Sequence, residues 1–496
     1  MSLVQSVDWL TIAPPTLTAV VGVGILVADL FVPPARKALL GWTAIGGLAA
    51  ALALLVPLRA GDRSTFCLVP DTGLRACSYS ADDFTVVIQL LVLAGALVTA
   101  LLSVADTRDD RLPAGEYWFL LLASAAGAAL LPASRDLATL VVALEVASLP
   151  AFALVGMRRG DRMSSEASLK FFLSSVTATA VTLLGVSFVY AATGTLHLTE
   201  IAARLGAVPG QLHTLAQAGV ILTLVGFAFK TAVVPFHFWV PDTYVGAPLP
   251  VAAYLSVVGK AVGFTGLILV TVVAFPSYAD VWGPALAVLA ALTMTVGNVA
   301  ALRQASTRAW SAVRLLAWSS VAQAGYLLVP IAAAAYSTDD QIGATVAYAL
   351  MYAAVNLGAF AVVVLVARSR PKARISDFRG LYAERPGAAL ALGFFLLNLA
   401  GLPPGIIGLF AKVTVFSAAV DAGLGWLAVI MAVNVVIALY YYLRWTALVF
   451  RAPRGAVTRL GAPTPVTLAI ALTAAAGVVL SGYPQLALRY AANSLF

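Results

Sequence analysis

Residues 229–242 read FKTAVVPFHFWVPD. They close an apolar run that extends from Ala216 to Val240, long enough at about 20 residues to cross a bilayer as a helix. Lys230 lies inside that run, with Pro235 five residues on and His237 seven. A proline removes a backbone donor and breaks the helix there, and a membrane tolerates the break only where protein or water satisfies the freed groups. A second stretch, GLPPGIIGLFAK at 401–412, has the same ingredients, with Gly401, Pro403, Pro404, Gly405 and Gly408 ahead of Lys412. Two broken spans, each with a lysine, are how transporters mark ion sites.

The rest of the chain agrees with a membrane setting. Of 496 residues, 61% are hydrophobic and 10% charged, against about 25% charged in a soluble domain, which excludes a soluble globular protein. The net charge of +8 is not gathered into basic runs, so a nucleic-acid-binding chain is excluded as well. Cys67 and Cys77 with three histidines assemble no iron–sulfur, haem or zinc framework, and no phosphate-binding glycine motif is present. The two cysteines fall in the loop after the second span and are either disulfide-bonded or free thiols. MSLVQSVDWL lacks a basic n-region and a small-residue cleavage site, so the first span is expected to stay.

Fourteen apolar stretches are expected to span the membrane. They are Ile12–Val32, Leu39–Leu58, Phe84–Ala105, Tyr117–Leu131, Leu137–Gly156, Phe171–Ala192, Ala216–Val240, Pro250–Phe275, Val281–Leu302, Leu315–Tyr336, Gly343–Ala367, Gly387–Val420, Gly425–Val449 and Val466–Gly482. With both termini outside, 21 of the 30 basic residues fall on the inner side and 6 on the outer. That asymmetry follows the positive-inside rule and would scramble if one span were miscounted. The fold class is an all-α polytopic membrane protein.

Four charges sit well inside the spans: Glu145, Lys230, Lys260 and Lys412. Each costs roughly 2.5–3.5 kcal/mol at the bilayer centre. Snorkelling to the headgroups, or a salt bridge that only ties helices together, is the plain alternative to an ion path. Lys260 is ten residues into its span, about 15 Å deep, beyond easy snorkelling. Burial disfavours the charged form of an amine or a carboxylate and pairing favours it, so a pair that closes and opens takes up and releases a proton. His237, two turns from Lys230, is read as a relay.

The breaks fall in spans 7 and 12, five apart, and five is odd. A unit starting at span 4 and repeated from span 9 therefore enters the membrane from the opposite side, giving two inverted five-helix repeats, spans 4–8 and 9–13. The expected organisation is one membrane domain over 1–496: a three-helix segment at 1–115, repeats at 116–275 and 281–449, and a last helix within 450–496.

FKTAVVPFHFWVPDTYVGAP (Phe229–Pro248), SSEASLKFF (Ser164–Phe172), YAATGT (Tyr190–Thr195), GNVAAL (Gly297–Leu302), VRLLAWSSVAQAGY (Val313–Tyr326) and LAGLPPGIIGLFAK (Leu399–Lys412) together resemble the antiporter-like membrane subunits of respiratory complex I, an NADH-quinone oxidoreductase. Lysine at 412 and the absence of a long lateral helix after the last span favour the subunit N branch of that group. Subunits of multisubunit sodium/proton antiporters share PFHxWxPD and are the alternative. The resemblance implies a proton-translocating subunit that binds no cofactor itself, with NADH, FMN, iron–sulfur clusters and quinone on other subunits. It implies a neighbouring antiporter-like subunit, small membrane subunits and the lipid bilayer as partners, no nucleic acid, and a bacterial inner membrane. By carry-over, Glu145 and Lys230 form a switching pair, His237 and Lys260 continue the path and Lys412 gates its outlet. Gln323 departs from the histidine common at that point of the family.

Overall fold

The computed structural model describes residues 7–68, 76–108, 112–337, 341–453, 461–492 and 495. Arg75, Arg111, Arg454 and Arg459, which entered the charge count, lie outside them. Thirteen helices among the described residues are long and apolar enough to cross a membrane. Besides two short helices at Leu198–Leu205 and Leu381–Glu384, the helices in chain order are α1 Trp9–Asp29, α2 Pro34–Leu58, α3 Asp83–Arg108, α4 Ala114–Ala133, α5 Leu137–Val155, α6 Arg162–Thr193, α7 Gly210–Thr231, α8 Trp239–Gly246, α9 Leu249–Ala274, α10 Pro276–Leu302, α11 Ser311–Ala333, α12 Ile342–Ala367, α13 Pro386–Ala400, α14 Ile406–Asp421, α15 Gly425–Val449, α16 Thr464–Gly482 and α17 Gln485–Ala492.

Two of the expected spans come out differently. The seventh helix ends at Thr231 instead of Val240, and α8 is a separate eight-residue helix. The twelfth stretch is two helices, α13 and α14, of 15 and 16 residues, each too short to be counted as a span by itself. The cause is the same in both places: Pro235 in one, and Pro403 with Pro404 in the other, cannot donate to a continuing helix.

Local chemistry sets the other ends. Asp8 caps α1 by accepting from Leu10 and Thr11 N–H, Asp136 caps α5 through Thr139 N–H, and Asp161 caps α6 through Met163 N–H. Burial sorts the helices into layers. The most apolar stretches of α11 and α12 are 94% and 89% buried, against 33% for those of α1, α2, α15 and α16. The two central helices therefore form the axis, and the outer ones turn apolar side chains such as Val20, Val23, Val429 and Val436 outward. An apolar exterior around a buried centre is what lipid solvation selects.

The loop between α2 and α3 contains strands, which an all-α reading did not anticipate. β1 (Arg63–Leu68) pairs antiparallel with β2 (Ala76–Ala81), with Cys67 opposite Cys77. The two cysteines are joined in a disulfide. Arg135 binds this hairpin to the start of α5: its N–H donates to Ser78 O at 2.9 Å and its guanidinium pairs with Asp82. On the other side Arg63 meets Asp8 at 3.1 Å. The hairpin is thus tied to the first turns of α1, α3 and α5.

A bond across a loop of this length is worth about 2–3 kcal/mol. Under non-reducing denaturation, alkylation followed by mass spectrometry should find no reactive thiol, and two after reduction. The Cys67→Ser, Cys77→Ser double variant should unfold at a lower temperature in detergent.

Candidate functional site

The site is built where α7 stops. Ala232 takes a left-handed conformation, φ 66°, and Val233 N–H folds back to Ala228 O at 3.0 Å, ending the helix. The Val234–Pro235 peptide is cis. The groups this frees find partners: Val234 N–H donates to Thr293 Oγ1 at 3.0 Å, Trp239 Nε1 to Phe229 O at 3.2 Å, and Lys260 Nζ to Thr231 O at 3.3 Å.

Lys230, in the last turn of α7, is buried. Its ammonium donates to Ser148 Oγ on α5 and Ser175 Oγ on α6, both at 2.6 Å. Phe152, Phe171 and Phe229 surround it, with ring centres at 5.1, 5.8 and 5.9 Å. Glu145 lies one turn before Ser148 and is half-buried. It accepts from Thr179 Oγ1 at 2.7 Å, and Thr179 lies one turn beyond Ser175. Lys230 and Glu145 are near enough to interact electrostatically without touching. Hydroxyls, not the carboxylate, hold the amine. A cavity of about 20 Å³ borders Lys230, Ser148 and Tyr254, and a water needs roughly 10–15 Å³.

Lys260 is buried in α9, directly after a π-helical turn at Leu255–Gly259. Such wide turns leave the backbone ladder open and recur at functional sites. Its bond to Thr231 O links it to the residue after Lys230. Gly263 makes that contact possible, because a Cβ there would stand 2.4 Å from Thr231 N and 2.7 Å from Lys230 C. His237 is half-buried between the α7 break and α11, its ring centre 5.5 Å from that of Trp318, and it interacts electrostatically with Lys260.

Four residues from Lys260, Ser256 opens a chain of hydroxyls. Asn356 Nδ2 donates to Ser256 Oγ at 2.7 Å, and Tyr352 OH donates to Ser256 O at 3.1 Å and can accept from Ser320 Oγ at 2.9 Å. One turn along α11, Ser319 bonds Tyr442 OH, Gln323 Nε2 reaches the same oxygen at 3.4 Å, and Tyr348 OH donates to Gln323 Oε1. The Tyr348 ring stacks at 5.9 Å on Tyr326, whose ring centre lies 5.7 Å from Lys412 Nζ.

Lys412 sits at the second break. Gly401, φ 86°, ends α13 in the left-handed region that favours glycine, and the Pro403–Pro404 peptide is cis. The buried Lys412 Nζ donates to Leu399 O at 2.9 Å and to Ala400 O at 2.8 Å. Lys260 and Lys412 therefore do the same thing, each capping the carbonyl end of an interrupted helix where the helix dipole is negative.

Of the residues singled out from sequence, Lys230, Lys260 and His237 gather at the first break with Glu145 at its edge, and Lys412 stands apart at the second. The sequence reading missed Ser148, Ser175 and Thr179, and the tyrosines Tyr326, Tyr348, Tyr352 and Tyr442. Their signal was available: a tyrosine in a lipid-spanning helix needs a partner for its hydroxyl. Asn298 and Asn434 bond each other at 3.0 Å and Tyr441 OH donates to Asn298 Oδ1, so Asn298 bridges helices. Among the described residues no group of three or more His, Cys, Asp or Glu is placed to hold a metal ion.

The pattern of the family described as NADH:quinone oxidoreductase/Mrp antiporter, transmembrane, matches residues 134–438. NADH-quinone oxidoreductase subunit N 2 of Streptomyces griseus is 78% identical, over 100% of this chain and 95% of that one. NADH-quinone oxidoreductase subunit N of Salinispora tropica is 45% identical over 92% and 88%. A chain of respiratory complex I from Thermus thermophilus superposes with a TM-score of 0.78 at 33% identity, covering 97% of this chain and all of that one. A chain of the Mrp complex from a Dietzia species shares the fold, with a TM-score of 0.82 at 22% identity over 97% and 96%.

The close approach of α9 to the α7 break gives a direct test. Gly263→Ala should destabilise the protein by about 1–3 kcal/mol in thermal unfolding, because backbone lies in the way. Gly259→Ala, whose nearest neighbour would be Leu255 Cδ2 at 3.5 Å, should be tolerated.

Proposed function

This chain belongs to the subunit N group of the NADH:quinone oxidoreductase/Mrp antiporter membrane subunits, and from that premise we propose that it carries protons across a bacterial membrane when electrons pass from NADH to a quinone elsewhere in the complex. Its partners are the other membrane subunits of that complex. The observation that carries the reading is the line of buried amines and hydroxyls from Lys230 through Lys260, Ser256, Tyr352 and Gln323 to Lys412. Lys260 and Lys412 also cap helix ends, but Lys230 caps none and rests on two hydroxyls, an amine in hydrocarbon for which helix packing alone has no use.

In this scheme Glu145 and Lys230 are the switch, His237 and Lys260 receive the proton and Lys412 releases it on the outer side, where both termini lie. The arrangement around Lys230 supports an open state of the switch. Its ammonium rests on Ser148 and Ser175 while Glu145 rests on Thr179, one helical turn away, roughly 5 Å. Closing that gap would pair the charges; opening it gives the amine back to hydroxyls and a cavity with room for a water. Exposed Val142, Val146 and Leu149 flank Glu145 on α5, so a neighbouring membrane subunit can reach the switch from that face. Moving one charge against 100 mV takes about 2.3 kcal/mol, less than a pKa change of two units supplies. One salt bridge made and broken is enough in magnitude.

Gln323 carries no exchangeable charge at neutral pH, so there the proton crosses by hydroxyls or water and not on the side chain. Counting α13 and α14 as one interrupted span gives fourteen spans, with the breaks in spans 7 and 12 as centres of two inverted repeats, 116–275 and 281–449. The shared lysine-to-carbonyl cap at both breaks supports that layout.

The test is NADH-driven acidification in proteoliposomes containing the whole complex. Lys230→Ala and Glu145→Ala should assemble and lose most proton pumping, and normal pumping by assembled Lys230→Ala would refute the scheme. Ser148→Ala with Ser175→Ala should slow pumping by about tenfold or more, the scale on which a positioned proton-transfer group acts. Sodium-driven proton flux without NADH or quinone would instead mark a secondary antiporter.

A further inference from the structure

Where α10 and α15 end together, Gln304, Ser306, Arg379, Arg444, Trp445 and Arg451 help to enclose a cavity of about 270 Å³. Three guanidinium groups and no carboxylate line it. Two other arginines are each held by a carboxylate, Arg368 by Asp106 at 2.8 Å and Arg370 by Glu384 at 2.5 Å. The three on this cavity have no carboxylate beside them. Among the described residues the exposed guanidinium groups of Arg444 and Arg451 have neither a hydrogen bond nor an ion pair, and the side chain of Arg379 gives only its Nε–H, to Ala452 O at 2.9 Å. Two further polar atoms on the same lining are buried and unpartnered, the Trp445 indole N–H and Gln304 Oε1, and Trp445 is only 1% exposed. A buried donor without an acceptor costs about 1–3 kcal/mol unless a ligand supplies one.

The position narrows the ligand. Tyr440, Arg444 and Leu448 follow helical spacing and form one stripe on the last turns of α15, about 12 Å long, and Arg451 lies two residues past its end. At its upper end Tyr440 is 57% exposed, and Val436 and Val433 continue the exposed apolar face towards the bilayer centre. Leu302, Ala447 and Leu448 give the cavity an apolar side. A cationic mouth that opens along a helix face onto lipid fits a phosphate attached to acyl chains better than a free one, and basic pockets at helix ends are where anionic headgroups bind.

We propose that this cavity is a binding site for an anionic phospholipid. Its phosphate lies among Arg379, Arg444 and Arg451, with the Trp445 N–H donating to a phosphate oxygen and an acyl chain along Leu448 and Tyr440. The site depends on the membrane-spanning character of the chain and not on the proton scheme.

The experiment takes the intact complex in detergent, strips its lipid, and titrates phosphatidylglycerol while native mass spectrometry counts what is retained. The R444Q/R451Q double variant should retain one phosphatidylglycerol fewer and bind roughly 10- to 30-fold more weakly at this site, the scale of two interfacial arginines. Phosphatidylcholine binding should not change, and R36Q, at an exposed arginine in the first turn of α2, should behave as wild type. Unchanged phosphatidylglycerol retention in R444Q/R451Q overturns the proposal, as does an equal loss in R36Q. Displacement of the lipid by millimolar inorganic phosphate would make this a soluble-anion site, and a neighbouring subunit's acidic segment seated in the cavity would make it a protein contact; either result also overturns it.

Discussion

A helix that stops inside hydrocarbon leaves carbonyl oxygens with no water to accept from, and that single constraint organises this protein. Each such oxygen left bare costs several kcal/mol. The chain meets the need twice in the same manner, with Lys260 on Thr231 O at the first interruption and Lys412 on Leu399 O and Ala400 O at the second. In each case the amine is itself too costly to bury alone. The two liabilities cancel, which is why amines and broken helices occur together here and why neither could be removed without exposing the other.

The remaining architecture serves that arrangement. The α9 helix must bring Lys260 to the end of α7, so it carries Gly263 at the crossing and π-helical turns at Leu255–Gly259 and Leu269–Ala274 on either side of its central segment. The most enclosed helices, α11 and α12, are not the most apolar in function: they hold Ser320, Gln323, Tyr348, Tyr352 and Asn356 on facing surfaces, where each hydroxyl or amide has another to bond. A polar seam of this kind is stable in a low dielectric only when nearly every member is satisfied. Asn356 Oδ1 is the exception on this line, buried without a partner.

How much of this could be read beforehand follows from which signals are local. Apolar runs, prolines and lysines are visible residue by residue, so most of the spans, both interruptions and the three buried lysines were legible. The extents of the seventh and twelfth spans were not, because an apolar run such as Val233–Val240 looks the same whether its backbone is helical or broken. The partners of Lys230 were hidden for a different reason. Ser148 and Ser175 are unremarkable in sequence, and only the crossing of α5, α6 and α7 makes them acceptors, so a carboxylate was the natural guess where hydroxyls stand. The hairpin of β1 and β2 was missed because Arg63–Leu68 and Ala76–Ala81 are short and sit in a loop between helices.

Thr231 immediately follows Lys230, so the oxygen that Lys260 grips belongs to the same rigid turn that aims the Lys230 side chain. The two cations are consequently geared: any rotation of that turn which swings one towards α5 must lengthen or shorten the grip of the other. A few ångströms of backbone serve as the axle between them.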